Sequence, residues 1–328
     1  MQKIKVSIII PAWHEKQVII HTLNSIDSLD YPLGKCEVIV VASEDDGTFN
    51  IAKNYRSRFG DYVVLRQGSG GKNSALQQGI KSAKGDIIVL LDADTLVEKN
   101  WLSELTKPLD EGYCCVNGNW FPLKKSWLNK YFLIEKVWGR QILRQQSTHG
   151  GGGIAFKRVL LDEKGGIDIL FNKNISVGVD HYFGEQLLKK RYEIYFAEKA
   201  KAKTLLNNTF KGFVKNQLRW NKGYVKLITP PSFLKTALFN ALVFFSPLLF
   251  ILSALNSFWP LSIPLIAYLS LLLVQCCAVS FNMHEPGFIK YAPIYMMLNF
   301  IDRTITSYVF VKSLFISDKN EYHFKGER

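Results

Sequence analysis

The sequence predicts an α/β domain built on a parallel sheet, followed by apolar helices that cross a membrane. In the first hundred residues, apolar runs without polar alternation recur, as is typical of strands buried on both faces of a parallel sheet. Segments with apolar residues at helical spacing separate these runs. After residue 232 the apolar residues concentrate in stretches long enough to span hydrocarbon as helices.

The first hundred residues alternate strand and helix. Strands are predicted at 6–10, 37–41, 63–65 and 87–91, with helices at 15–29, around 51–55 and at 73–84. A β-α-β-α-β-α-β order predicts a parallel sheet wound by right-handed crossovers.

The pattern is less regular after the fourth strand. Helices are predicted at 101–109, 130–144, 181–191 and 211–228, and strands at 113–120 and 192–197. A run of glycines, Gly150 to Gly153, indicates close approach of the backbone by a ligand or by another chain segment. A flexible loop is the alternative interpretation of that run.

Three apolar stretches follow, at 233–255, 261–280 and 291–315. The third contains Asp302 and Arg303, which are costly in a span unless they face protein or water. We predict a third span there, with an amphipathic helix lying in the membrane interface as the alternative. The predicted domains are an α/β domain over 1–228 that ends in an interfacial helix at 211–228, a membrane domain over 229–316 and a polar tail over 317–328.

The net charge of +13 suits nucleic acid, an anionic membrane surface or phosphorylated substrates. The sequence carries no nucleic-acid-binding signature, and its basic residues cluster just before the first apolar stretch. Membrane lipids and nucleotide phosphates are therefore the expected partners, and nucleic acid is not. The positive-inside rule predicts a multi-pass cell-membrane protein with a cytoplasmic N-terminal domain. The five cysteines show no C-x-x-C spacing, which argues against a disulfide framework or zinc site.

Two carboxylates, Asp92 and Asp94, follow the predicted strand 87–91. In open α/β sheets, ligands bind at the carboxyl end of the strands. Neighbouring carboxylates repel each other unless something positive lies between them, and a hard divalent cation holding a phosphate would satisfy both. An Asp-rich turn or helix cap is the alternative.

Further motifs occur in a fixed order along the chain. They are Val6-Ser7-Ile8-Ile9-Ile10-Pro11-Ala12 with Glu15, the strand and acidic turn 37–48, Gly71-Lys72-Asn73-Ser74-Ala75-Leu76, Asp92-Ala93-Asp94, Gly152-Gly153-Ile154-Ala155-Phe156, Val179-Asp180 and Gln217-Leu218-Arg219-Trp220. With these motifs the chain resembles family 2 glycosyltransferases, whose Rossmann-like GT-A fold is that of the nucleotide-diphospho-sugar transferases. It looks most like the membrane-embedded branch that includes cellulose and hyaluronan synthases.

The resemblance implies a nucleotide-diphosphate sugar as donor. The family usually has Asp directly after the second strand, where Ala42 and Ser43 stand here. Either Glu44 or Asp45 would then bond to the base, or the base is recognised differently. The nucleoside pocket would be lined by the end of the first strand and the residues after it: Pro11, Ala12, Trp13 and Glu15.

The resemblance also implies how the donor phosphates are held. Lys72 would approach the nucleotide or its diphosphate, Asp92 would contact the nucleotide, and Asp94 would bind Mg²⁺ or Mn²⁺, with Asp92 beside it. The cation would neutralise the leaving diphosphate.

Asp180 matches the family's general base, although Val179 replaces the glutamate that normally precedes it. A base here would take a proton from the acceptor hydroxyl while that oxygen attacks the anomeric carbon from the opposite face, with inversion. An alternative role for Asp180 is an N-cap of the helix 181–191.

Arg219 and Trp220 end a motif that the family writes Gln-x-x-Arg-Trp, with Asn216 at its first position here. The resemblance implies that Arg219 pairs with the diphosphate and that Trp220 stacks on the acceptor sugar. The alternative is an interfacial helix whose Arg and Trp anchor at the headgroups.

Together these features predict an inverting, metal-dependent hexosyltransferase of polysaccharide biosynthesis. It would move a sugar from a nucleotide-diphosphate donor to a hydroxyl of a membrane-associated or lipid-linked glycan. One alternative is a polyprenyl-phosphate sugar synthase, whose acceptor is already ionised and needs no base. Another is a membrane transporter or channel with a nucleotide-sugar-binding regulatory domain. Asp180, with Arg219 and Trp220, favours a hydroxyl acceptor.

Overall fold

The structure is a computed structural model, and it divides into two compact units. The first lies within residues 1–123 and 146–205, and the second within 124–145 and 206–323. The described residues are 5–68, 71–143, 150–162, 166–172, 175, 178–227 and 230–315.

The first unit is built on one mixed sheet, which has eight strands among the described residues. The strands are β1 (Val6–Ala12), β2 (Cys36–Ala42), β3 (Tyr62–Arg66), β4 (Ile87–Leu90), β5 (Thr95–Val97), β6 (Cys115–Pro122), β7 (Ile154–Lys157) and β8 (Ile194–Thr204).

The described α-helices are distributed over both units. They are α1 (Ile19–Asp27), α2 (Thr48–Asn54), α3 (Gly71–Ser82), α4 (Trp101–Asp110), α5 (Trp127–Lys136), α6 (Gly166–Leu170), α7 (Val179–Lys189), α8 (Phe210–Leu227), α9 (Pro230–Asn256), α10 (Ile263–Asn282) and α11 (Ala292–Phe315). A π-helical segment, Val137–Ile142, continues α5.

The predicted β-α-β-α-β-α-β order of the first hundred residues is confirmed, and its four strands pair in parallel as β3-β2-β1-β4. The sheet then continues as β7-β6-β8-β5, with β7 antiparallel to both β4 and β6. Strand β8 runs parallel to β6, and β5 runs antiparallel to β8. The complete sheet is therefore mixed, and only its first half has the all-parallel arrangement that the apolar runs indicate.

Strand β1 lies in the middle of the core because its alternate side chains enter different hydrophobic clusters. Ile8 and Ile10 pack on the side of α1 and α4, whereas Ile9 packs on the side of α3. Helices thus cover both faces of the sheet, which explains why β1 carries no polar alternation.

Several predicted boundaries were wrong by a few residues. Helix α1 begins at Ile19 rather than at residue 15, because the Val18 and Ile19 amides close a turn on the Glu15 carbonyl. Helix α5 begins at Trp127, where the Ser126 hydroxyl accepts a hydrogen bond from the Asn129 amide and caps the helix.

The prediction missed β5 and β7, and it ended β8 seven residues too early. In β8 the lysines Lys199, Lys201 and Lys203 alternate with the buried Ala200 and Ala202. This period-two pattern is the signal of a half-buried strand, and it was present in the sequence. The strands β5 and β7 have three and four residues, which is too short for a periodicity to show.

The glycine run packs against another segment of the chain. The Gly118 amide donates to the Gly153 carbonyl at 2.9 Å, and a Cβ built on Gly118 would lie 2.0 Å from the Gly152 carbonyl oxygen. Of the partners that the sequence left open for this run, the structure therefore shows the chain segment: backbone approaches backbone at a distance that no side chain allows.

Within its described residues, the second unit contains two helices that are long and apolar enough to cross a membrane, Lys235–Asn256 and Trp259–Asn282. Inside the structure, 22% and 28% of the residues in their apolar windows are buried, whereas the core helix of a soluble protein would be mostly buried. The third predicted span corresponds to α11, a single helix of 24 residues that is not among the helices apolar enough for a candidate span, so its crossing stays a prediction. The segments 124–145 and 206–228 belong to this unit as well, although the predicted domain boundary at residue 228 assigns them to the α/β domain.

Substitution of Gly153 tests how closely the backbone at this position packs against Trp101. It has φ +80°, and an added Cβ would lie 2.4 Å from Trp101 Cζ2. Gly47 is the matched control, because its φ of +89° imposes similar backbone strain but no atom lies within 4 Å of its Cβ position. We expect Gly153→Ala to lower the free energy of unfolding by about 1–3 kcal/mol more than Gly47→Ala does. Equal thermal midpoints for the two variants would contradict this packing.

Candidate active site

The site lies at the carboxyl edge of the parallel strands in the first unit. Ala12, the last residue of β1, pairs with Ala42 of β2, and the Ser43 amide donates to the Ala12 carbonyl at 3.0 Å. On the other side of β1, the Leu91 amide donates to the Ile9 carbonyl at 3.0 Å. The chain segments after β1, β2 and β4 therefore leave the sheet side by side.

The turn that carries Asp92 and Asp94 is fixed by hydrogen bonds to its backbone. The Thr22 hydroxyl, on α1, donates to the Ala93 carbonyl at 2.7 Å in a fully buried contact. The Leu205 amide donates to the Asp94 carbonyl at 3.2 Å. Ala93 is buried while both aspartates are half-buried, so the turn holds its middle residue in the core and presents the two carboxylates.

Lys72 brings together residues that are distant in the chain. Its Nζ lies 2.7 Å from Asp92 Oδ1 and 3.3 Å from Asp180 Oδ1. The three side chains come from the start of α3, from the turn after β4 and from the first turn of α7. Burial by itself disfavours the ammonium, but the Asp180 and Asp92 carboxylates outweigh it and hold the pKa of Lys72 above its ordinary value.

Asp180 is not the N-cap of its helix. Gly178 occupies the cap position of α7, and Asp180 is the second helical residue. A carboxylate in the first turn is favoured by the partial positive charge of the helix N-terminus. The next residue, His181, directs Nε2 to Glu185 Oε1 at 3.3 Å, along the same helix.

The acidic turn after β2 is held by its own side chains. Asp46 Oδ1 accepts hydrogen bonds from the Thr48 amide and hydroxyl, at 3.1 and 2.6 Å. The Thr48 hydroxyl in turn accepts from the Glu15 amide at 3.0 Å. Burial alone would raise the pKa of Asp46, but the bonds from Thr48 outweigh it, so its pKa is lowered. Asp46 is therefore tied to the segment after β1, a link that the sequence did not predict.

The two residues predicted to bond to the base are more exposed. Glu44 Oε1 forms an ion pair with Arg66 Nε at 3.0 Å, and both side chains are more than half exposed. The Asp45 amide donates to the Ser43 hydroxyl. A base-binding role for Glu44 or Asp45 stays a prediction.

The segment after β1 combines an exposed aromatic ring with a buried carboxylate. Trp13 is 41% exposed, and its ring meets the His14 ring edge-on at 4.6 Å. Glu15 is buried, and so is Ala12, while Pro11 is half-buried. Because its indole is open to solvent, Trp13 is the residue of this segment best placed to stack on a planar ligand.

The carboxylates of Asp92 and Asp94 are suited to bind a divalent cation whose remaining ligands come from a substrate. Asp92 and Asp94 lie two residues apart in one turn, and both side chains are half-buried. A metal-binding role for Asp94, with Asp92 beside it, stays a prediction. Among the described residues, no three His, Cys, Asp or Glu side chains form a ready metal cluster. Mg²⁺ is commonly held by one or two carboxylates together with substrate phosphates. The donor set therefore fits a cation completed by phosphate oxygens.

Arg219 and Trp220 lie on α8 in the second unit. The Trp220 ring meets Phe132 edge-on at 5.5 Å, and Phe132 also contacts Phe213. Trp220 is 37% exposed. The roles predicted for the pair, on the diphosphate and on the acceptor sugar, stay predictions.

Two family models match the chain. One, described as "Glycosyl transferase family 2", matches residues 7–163, and the other, "Glycosyl transferase family group 2", matches residues 87–300. The second match extends from β4 into α11 and covers more than half of the chain.

Related proteins include a probable glycosyltransferase and a synthase. The probable glycosyltransferase YdaM of Bacillus subtilis is 28% identical over 236 residues, which are 67% of this chain and 55% of that protein. The poly-beta-1,6-N-acetyl-D-glucosamine synthase of Staphylococcus epidermidis is 29% identical over 236 residues, 66% of this chain and 54% of that protein. The chain thus spans about half the length of these relatives.

A solved structure shows the same fold. The mannosyltransferase PcManGT from Pyrobaculum calidifontis, in complex with GDP-Man and Mn²⁺, aligns with a TM-score of 0.57 and 21% identity. The alignment covers 94% of this chain and 88% of that one. The mixed sheet and the matches to the family models lead to one conclusion: the chain belongs to the family 2 glycosyltransferases and has their GT-A fold.

Proposed function

We propose that the chain is an inverting, metal-dependent hexosyltransferase that moves a sugar from a nucleotide-diphosphate donor to a hydroxyl of a membrane-associated or lipid-linked glycan. The observation that carries the proposal is the Lys72 ammonium between the Asp92 and Asp180 carboxylates. It brings the aspartate turn expected to hold the donor within reach of the carboxylate expected to act on the acceptor.

Asp180 acts as the base in this proposal. Its carboxylate takes the proton from the acceptor hydroxyl as that oxygen forms a bond to the anomeric carbon. The bond from that carbon to the donor phosphate breaks on the opposite face, and the nucleoside diphosphate leaves. One displacement of this kind inverts the configuration.

Asp92, Asp94 and Lys72 serve the donor in this proposal. Lys72 fixes the position of Asp92 and offers a positive charge to the phosphates. Asp94 holds Mg²⁺ or Mn²⁺, which when bound supplies positive charge to the leaving diphosphate. GDP-Man and Mn²⁺ in the Pyrobaculum mannosyltransferase support a donor and a cation of these classes.

Membrane association rests on the second unit. Its two long apolar helices expose large side chains along their length, among them Leu238, Leu255 and Val274. Apolar surface of this extent is stable in contact with hydrocarbon rather than water. The two apolar helices support an acceptor at the membrane, and the basic residues before the first of them support a cytoplasmic side for the catalytic unit.

Asp180→Asn tests the base. We expect transfer to fall by about 10²–10⁴-fold, because the amide cannot take the proton. Binding of the nucleoside diphosphate should stay close to that of the wild type. Glu185→Gln is the matched control on the same helix and should retain transfer. Full transfer by Asp180→Asn would point instead to an acceptor that is already ionised, as in a polyprenyl-phosphate sugar synthase.

Lys72→Met tests the charge bridge through the pH dependence of stability. The raised pKa of Lys72 means that its contribution is complete below the unfolded-state value and is lost only at strongly alkaline pH. Without the ammonium, the two carboxylates repel each other with no positive charge between them. The variant should therefore lose about 1 kcal/mol near neutral pH, and this difference from the wild type should shrink at strongly alkaline pH, where the wild-type lysine also loses its charge.

The control for this measurement is Lys84→Met, which removes an exposed lysine 3.5 Å from a single carboxylate, Asp61. That variant should change stability by less than about 0.5 kcal/mol. Thermal midpoints measured across the pH range compare the two variants. A loss in Lys72→Met that does not depend on pH would contradict the bridge.

Asp94→Asn tests the cation site. In the wild type, Mn²⁺ should strengthen the thermal stabilisation by a nucleoside diphosphate, because a ligand that binds the folded state raises its midpoint. The variant should lose the Mn²⁺-dependent part of that shift and keep the part that the nucleotide produces alone. Asp110→Asn, at an exposed aspartate paired with Lys5, is the control. A full Mn²⁺-dependent shift in Asp94→Asn would exclude Asp94 as a ligand.

A further inference from the structure

The second unit contains a polar cavity between α8, α9 and α11. Its volume is about 320 Å³. Its walls are two cationic side chains, one carboxylate, three neutral hydrogen-bonding side chains and one aromatic ring: Lys235, Arg303, Asp302, Asn221, Thr236, Thr306 and Phe239. None of these residues belongs to the site proposed for sugar transfer.

The carboxylate in the wall is already satisfied by neutral donors. Asp302 Oδ2 accepts from the Tyr131 hydroxyl at 2.9 Å, and Oδ1 accepts from Asn221 Nδ2 at 3.1 Å. The Asn221 side-chain oxygen accepts from the Thr306 hydroxyl at 2.8 Å. The bonds to both oxygens of Asp302 therefore come from neighbours other than Arg303.

Arg303 keeps hydrogen-bonding capacity. Its Nε–H is buried and has no hydrogen-bond partner within the part of the chain that the structure describes. Its guanidinium carbon lies 5.5 Å from the centre of the Phe239 ring, a cation–π contact that holds the group at the cavity wall without using its N–H donors. A buried donor without a partner is costly, which points to a ligand that accepts from it.

The position of the cavity along α9 indicates the chemical class of that ligand. Lys235 is the first residue of the apolar segment Lys235–Asn256, and Phe239 lies one turn further on. Leu238, next to it, and Leu242 and Phe245, beyond it, are 63%, 48% and 52% exposed. The cationic cavity therefore lies where the apolar surface of α9 begins, which is the level of the headgroups if α9 crosses a bilayer.

We propose that this cavity binds the phosphate headgroup of a membrane lipid. A guanidinium presents paired N–H donors that match phosphate oxygens, and a lysine beside it adds a second positive charge. Basic pockets between membrane helices suit anionic headgroups. The acyl chains would lie along the exposed apolar side chains of α9, which favours a lipid over a free phosphate. The inference does not rest on the function proposed for the first unit.

The test measures lipid binding by the purified full chain, freed of lipid in a neutral detergent. Native mass spectrometry with dioleoyl phosphatidic acid should show saturable binding. Dioleoylglycerol, which has the same acyl chains and no phosphate, should bind at least about tenfold more weakly, since it lacks the charge-assisted hydrogen bonds. Inorganic phosphate should not displace the lipid at equal concentration, because it lacks the apolar contacts.

Variants locate the site. Arg303→Gln should weaken phosphatidic acid binding by about tenfold or more, and Lys235→Gln should weaken it severalfold. Lys312→Gln removes a positive charge from the same helix as Arg303 but outside the cavity, and it should leave binding unchanged. Lys235 is exposed, so its variant remains a valid test if Arg303→Gln fails to fold.

Three results would overturn the proposal. Equal binding of dioleoylglycerol would mean that the apolar surface alone holds the lipid. Displacement by an equal concentration of inorganic phosphate would mean a free-anion site. Wild-type binding by Lys235→Gln, or by a folded Arg303→Gln, would place the lipid elsewhere. Because every readout is binding, the proposal can fail while sugar transfer by the first unit stands, and the reverse.

Discussion

The first strand, β1, is hydrogen-bonded on both sides and buried on both faces, and the site depends on how its neighbours align with it. Parallel pairing with β2 and β4 brings the ends of all three strands to one edge of the sheet. A slip of one residue would move the turn after β4 by about 3.3 Å along the sheet. A shift of that size would break the ion pair between Lys72 Nζ and Asp92 Oδ1, which now lie 2.7 Å apart. The strand register therefore decides whether this ion pair can form.

The same alignment explains why charged groups can gather at this edge. Two carboxylates share one ammonium while all three side chains are partly buried, so solvent screens them less than it would at the surface. The Asp92-Ala93-Asp94 turn is fixed on its core-facing side by the buried hydrogen bond that the Thr22 hydroxyl donates to the Ala93 carbonyl. In the proposed reaction this rigidity keeps Asp92 and Asp94 in place for a phosphate-bearing substrate, and Asp180 keeps its own position on α7.

In the second unit, two partly buried carboxylates accept hydrogen bonds from neutral neighbours. Glu135 accepts hydrogen bonds from Tyr295 and Asn299, and Asp302 accepts from Tyr131 and Asn221. Burying a polar group is costly unless it is hydrogen-bonded. This requirement explains how an acid and a base are accommodated in the third apolar stretch: they face protein and a polar cavity.

The sequence by itself determined the alternation of strand and helix up to β4 and the place of the Asp92-Ala93-Asp94 turn, because continuous apolar runs and adjacent residues are local properties. It did not reveal β5 or β7, which are too short to show a period, and it left the partner of the glycine run open. Only the tertiary structure decided that Lys72 lies between Asp92 and Asp180, which are 20 and 108 residues away in the chain. Contacts of that range depend on strand register and on how helices pack against the sheet, and no local pattern encodes either.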